Sequence, residues 1–143
     1  MTLLSTLRNT ATVDTITANS IDSAEAIPLV TANQDRDNKS YNYDGTLVVN
    51  TGSKRLYMTR AGTFGTFDMY VATAPAGAAL TVSIKKNGSE IGTGTIADGA
   101  TSGTAQTLTS TSFSNGDYLT VDITQIGSST AGEDLYINFR IAG

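Results

Sequence analysis

The side chains that could carry chemistry in this sequence are almost all carboxylates, because histidine and cysteine are both absent. Their absence removes the commonest general base, the thiolate nucleophile, disulfides and the most frequent transition-metal ligands. A glycoside hydrolase needs two carboxyl groups held on either side of one sugar bond. Glu133 and Asp134 are adjacent, so an extended chain would point them to opposite faces, and they read as part of a polar loop. Asp117 and Asp122 stand five apart on an apparent strand, which also separates them unless a bulge intervenes. No carboxyl pair is fixed, so the expectation is no catalytic residue and no enzyme. Asp35-Arg36-Asp37-Asn38 opens like a calcium loop, but Ser40 and Thr46 stand where an EF-hand requires glycine and glutamate. An EF-hand is excluded and a looser oxygen site stays open as an alternative; the expectation is no metal and no cofactor. Gly92 and Gly94 make a fragment of a nucleotide-binding loop whose third position falls on Ala97 with no helix following, so they read as part of a hairpin.

Among binding residues, Tyr118, Tyr136 and Tyr70 are predicted on outward strand faces, where aromatics bind sugars or a protein partner, although cross-strand packing is their commoner role. The basic residues number nine against thirteen acidic ones, a net charge of -4. The nearest to clusters, Lys54-Arg55 and Lys85-Lys86, sit beside expected turns and read as solvated. Nucleic-acid binding is therefore not expected, since phosphate contacts need gathered Lys and Arg. No apolar run approaches the length of a membrane span, and Met1-Thr2-Leu3-Leu4 lacks both the basic start and the long apolar core of a signal peptide.

The elements that must position these residues are strands. Charged residues make up 15% of the chain against roughly 25% in ordinary soluble domains, and threonine, a β-branched residue suited to a pleated face, occurs 24 times. Leu119, Val121 and Ile123 alternate with polar residues, as do Leu135, Ile137, Phe139 and Ile141. A period of two places each set on one buried face. Leu80, Val82 and Ile84 repeat the pattern before Asn87-Gly88, the strongest signal for a two-residue hairpin, and Gly92 and Gly94 suggest a bulge in the returning strand. Phe67, Met69 and Val71 face inward on another strand, closed by Ala74-Pro75-Ala76-Gly77. Leu47-Val48-Val49 and Arg55-Leu56-Tyr57-Met58, joined by Asn50-Thr51-Gly52-Ser53, read as a further hairpin. About eight strands separated by turns predict one all-β domain, an antiparallel two-sheet sandwich, with a jelly roll first and an immunoglobulin-like sandwich second.

Residues 1–43 read differently. No aromatic precedes Tyr41, and the aliphatic residues keep neither helical nor strand periodicity. The division expected is an extended N-terminal arm over 1–43 and a sandwich over 44–143, with Gln34 to Lys39 as a charged joint. Leu3, Leu4, Leu7, Val13, Ile16, Ile21 and Ile27 have no periodic face to bury them within the arm and are the candidate partner-binding residues. The alternative is that the arm folds back as edge strands on its own domain.

Three stretches, Gly45 to Tyr57, Thr73 to Gly88 and above all Gly116 to Arg140, resemble the small jelly-roll domains of tailed-bacteriophage virion proteins: capsid decoration or cement proteins, head fibres and the terminal domains of tail fibres. The likeness covers about residues 44–143 and leaves the arm out. It implies a non-enzymatic structural protein, most simply a capsid decoration protein on the exterior of the virion, assembled in the host cytoplasm. The partner implied is the major capsid protein, reached through the arm. A tail-fibre or host-receptor module that binds a glycan is the alternative. Self-association is expected, a trimer first and a dimer second, because the edge strands of a small sandwich need cover.

Overall fold

The computed structural model describes residues 38–106 and 108–142. Leu3, Leu4, Leu7, Val13, Ile16, Ile21 and Ile27, with Asp35 to Asp37, lie outside them. Nine strands run through the described residues: β1 (Lys39–Thr46), β2 (Leu56–Tyr57), β3 (Gly62–Tyr70), β4 (Leu80–Lys86), β5 (Ser89–Ile96), β6 (Ser102–Gln106), β7 (Ser112–Phe113), β8 (Tyr118–Ile126) and β9 (Glu133–Ala142). One sheet has the order β1-β9-β3-β6, with the short β7 also on β3; the other has the order β2-β8-β4-β5. Every pairing is antiparallel.

This order is that of one long hairpin folded over on itself. β4 pairs with β5 at the tip, β3 with β6, β2 with β8, and β1 with β9 at the open end, while successive pairs alternate between sheets. That is the jelly roll. The tip is the Asn87-Gly88 turn, where φ is +51° and +91°, the two positive values that a type I′ turn demands.

Leu80, Val82, Ile84, Leu119, Val121, Ile123, Leu135, Ile137 and Phe139, the faces that the period of two marks for burial, are each at most 1% exposed. Phe67 of β3 and its register partner Phe139 of β9 lie side by side on the inner face of one sheet, ring centroids 5.5 Å apart. On β5, Gly94 faces the core, because a Cβ there would lie 2.8 Å from Phe67 Cε2 and overlap the Met69 sulfur. Ile96 is buried on the same face, two residues on. Ile91 is out of phase with both, and it is buried because Ile84 pairs with Gly92 while Lys85 pairs with Glu90, leaving Ile91 as the extra residue of a bulge. The bulge thus falls one residue before the glycines that suggested it.

Two expectations give way. The sheet begins at Lys39, so residues 39–43, assigned to the arm by sequence, form the first part of β1, paired to β9 from Glu133↔Thr46 to Phe139↔Lys39. Tyr41 on β1 is buried in the core, an aromatic anchor of the kind absent from the residues before it. The hairpin expected over 47–58 does not form either. β1 and β2 belong to different sheets, and the chain between them crosses from one to the other. Leu47 drops into the core while Val48 and Val49 are 50% and 60% exposed, and Asn50 pairs with Ile123 of β8.

Candidate functional site

The crossing segment builds a cleft against β8. Asn50 is tied to Ile123 by two backbone hydrogen bonds of 3.0 and 2.9 Å, and Leu56 of β2 is in register with Leu119. Between those anchors the crossing chain has residues 51–55 to place against only residues 120–122 of β8. The surplus must leave the sheet plane, and the loop lies over the outer face of β8. Gly52 makes that approach possible: a Cβ there would overlap the Val121 carbonyl oxygen, so a side chain is excluded by backbone.

Covering this face buries residues that the alternating pattern marks as solvated. Thr120 and Asp122 are each 8% exposed. A buried carboxylate must be compensated, and Asp122 is. Its Oδ1 accepts from the Gly52 N–H at 2.9 Å, and its Oδ2 lies 2.7 Å from Lys85 Nζ on the neighbouring β4. The loop, β8 and β4 are thereby joined through one side chain.

Beside this pair, Arg55 lies over the Tyr118 ring. Its guanidinium carbon is 4.3 Å from the centroid of Tyr118, a cation–π distance, and its Nη1 donates to the Tyr57 hydroxyl at 3.2 Å. Tyr57 and Tyr118 are themselves in contact, centroids 5.6 Å apart and planes tilted by 55°. The hydrogen bond to Tyr57, with the electrostatic contributions of Tyr118 and Tyr57, holds the Arg55 pKa above the ordinary arginine value, so the group is a permanent cation. The loop residues Thr51, Gly52, Ser53 and Arg55, the sheet residues Lys85, Tyr118, Thr120 and Asp122, and Gly88 at the hairpin tip enclose about 320 Å³.

Both basic doublets contribute one member. Lys54 turns away, its ammonium 5.5 Å from the Tyr41 ring centroid, and Lys86 donates to the Ser112 carbonyl at 2.6 Å. Arg55 and Lys85 are brought to one cleft because β8 lies between β2 and β4. Sequence spacing carries no signal for that meeting.

The tyrosines separate. Tyr118 belongs to the cleft, whereas Tyr136 and Tyr70 are register partners on the other sheet, both exposed on its outer face, near the ion pair of Arg140 Nη2 with Asp68 Oδ2 at 2.6 Å. The carboxylates weighed for catalysis hold local structure. Asp117 accepts from Asn87 Nδ2 at 2.9 Å and from the Ser114 N–H at 2.8 Å, and these two bonds hold its pKa below the usual aspartate value. Asp134 stands at the start of β9 with φ +56° and accepts from the Gly45 N–H at 2.6 Å; Glu133 accepts from the Thr46 hydroxyl at 3.5 Å. Both belong to the strand β9, not to the preceding loop, and no two of these four acids share a donor. Among the described residues no group of three or more His, Cys, Asp or Glu is gathered as a metal site. Gly92 and Gly94 sit within β5 and not at a helix start. No protein-family model matches this chain, and no curated protein sequence matches it.

Proposed function

We propose that this protein is a structural component of a tailed-bacteriophage virion, a capsid decoration protein that grips the major capsid protein through its N-terminal residues and carries its sandwich on the capsid exterior. The observation that supports this reading most is the folded-hairpin pairing of β1 with β9, β2 with β8, β3 with β6 and β4 with β5, an architecture recurrent in viral capsid proteins. The engagement of Asp117, Asp122, Glu133 and Asp134 in separate structural hydrogen bonds agrees with a role in which no bond is made or broken. The aliphatic residues from Leu3 to Ile27 supply the gripping surface in this proposal. Each leucine or isoleucine buried against a shell protein contributes about 1.5–3 kcal/mol before the cost of ordering the segment.

Removal of residues 1–30 tests the reading, because every described strand lies beyond them. The shortened protein is mixed with expanded empty heads of the phage that encodes it, and the heads are sedimented. The full chain should co-sediment at a fixed stoichiometry, and the shortened chain should stay folded and remain in the supernatant. Binding by the shortened chain would refute the gripping role, and failure of the full chain to bind heads would refute decoration itself.

A further inference from the structure

We infer that the cleft beneath loop 51–55 is a binding site for an anionic saccharide, a sugar ring carrying a carboxylate, with Arg55 as the receptor of that carboxylate. Acidic residues outnumber basic ones thirteen to nine, yet Arg55 makes its contacts with Tyr57 and Tyr118 and with no carboxylate among the described residues. Of the five N–H donors on its planar fork, one is engaged by the Tyr57 hydroxyl; the remainder suit a carboxylate held by two parallel bonds.

Arg55 is also held ready. Stacking over Tyr118 and the bond to Tyr57 restrict a side chain that would otherwise lose much rotamer freedom on binding, which lowers the entropic cost of taking a ligand. Tyr57 is 50% exposed and tilted against Tyr118, so an aromatic surface for the C–H face of a sugar ring stands beside the cation. On the floor, Lys85, its side chain 30% exposed, can turn a donor to a sugar hydroxyl beside Thr120 and Asp122, which line the cleft with it. A volume of about 320 Å³ falls at the small end of ligand sites, roughly 300–1,000 Å³. The cleft lies on a sheet face with loop 51–55 above it, which does not favour an acidic peptide added as a strand. One surplus positive charge, from Arg55 and Lys85 against Asp122, is too little for a nucleic-acid backbone.

The test uses the isotope-labelled full chain and four probes: a galacturonic acid trisaccharide, the same trisaccharide as its methyl ester, inorganic phosphate and triglutamate. The acid trisaccharide should shift the Gly52, Tyr118 and Thr120 amides and the Arg55 Nε–H in a saturable way below about 10 mM, and the ester should bind about tenfold more weakly. Arg55→Lys, which keeps the charge and loses the fork, should also weaken binding about tenfold with an unchanged amide spectrum elsewhere. No saturable shift with the acid trisaccharide overturns the inference. So does an equal response to phosphate or to triglutamate, which would mark a general anion or acidic-peptide site, and so does an Arg55→Lys protein that binds as the parent does. Saccharide binding is read on the free protein and head binding on particles, so either proposal can fail without the other.

Discussion

Replacing Gly52 by alanine adds one methyl group at the point where the crossing loop meets β8. The added carbon would overlap the Val121 carbonyl oxygen, a backbone atom committed to the sheet, so the loop must lift. Lifting it removes the 2.9 Å hydrogen bond from the Gly52 N–H to Asp122. A hydrogen bond to a charged acceptor contributes about 1.5–3 kcal/mol, and alanine recovers only about 0.4–1 kcal/mol through the unfolded state. With steric displacement included, Gly52→Ala should destabilise by about 2 kcal/mol, which for a domain of this size lowers the melting temperature by roughly 10 °C. Urea unfolding followed by far-ultraviolet circular dichroism measures it, and the m-value should not change, because the exposed surface is the same. Gly88→Ala is the control with the opposite cause: nothing lies within 4 Å of a Cβ there, so only its φ of +91° opposes the substitution, at about 1 kcal/mol. If Gly52→Ala unfolds within about 0.5 kcal/mol of the parent, the close approach of the loop to β8 does not support the sandwich.

Phe67→Ala empties the centre of the core beside Phe139 and against Gly94 of the facing sheet and should cost about 3–5 kcal/mol in the same unfolding assay; a loss under about 1 kcal/mol would mean that Phe67 does not pack between the two sheets. Asp117 should titrate below the ordinary aspartate pKa, because the Asn87 side chain and the Ser114 N–H bind its ionised form. Since the folded pKa is the lower one, its contribution to stability is present above the unfolded value of about 3.9 and is lost as pH falls through the folded value. Carboxyl chemical shifts should therefore show the Asp117 midpoint rising in Asn87→Ala, and an unmoved midpoint would contradict the assignment. Sedimentation equilibrium should show self-association, a trimer first and a dimer second; a monomer at micromolar concentration both free and on heads would contradict it.

The parts of the fold legible in the sequence are those imposed by local periodicity. Leu80 to Ile84, Leu119 to Ile123 and Leu135 to Phe139 announce themselves because a strand with one face in the core repeats every second residue, and Asn87-Gly88 because few residues accept two consecutive positive φ values. The segment 47–58 misleads for the same reason. Asn50 to Ser53 carries good turn chemistry, and turn chemistry between two apolar words reads as a hairpin. What decides its course is the contact of Gly52 with Asp122, 70 residues away, and a window of a few residues cannot contain it. Ile91 is similar: its burial depends on a bulge measured against β4. The cleft was hidden more completely. Alternation along β8 marks Asp122 for solvent, and only the sheet order β2-β8-β4 shows that Lys85 and loop 51–55 close over it. Arg55 and Lys85 each read as a solvated charge beside a turn, since nothing in either neighbourhood names the other.

β9 lies between β1 and β3, so among the described residues the first strand has no sheet partner until the last one is placed. The hydrogen bond from the Ile141 N–H to Asn38 Oδ1 spans 103 residues. A growing chain that has reached Tyr118 can already close the Asn87-Gly88 hairpin, yet β1 and β3 then present open edges with no other described strand to fill the gap. Loop closure on this scale must precede any gain from the pairing, which places the fold among the slower topologies. It also makes the interval before β9 arrives the time when another chain can insert a strand in its place. A peptide of residues 133–142 supplied in trans should therefore act during refolding, when that slot is open, and have no effect on the finished sandwich.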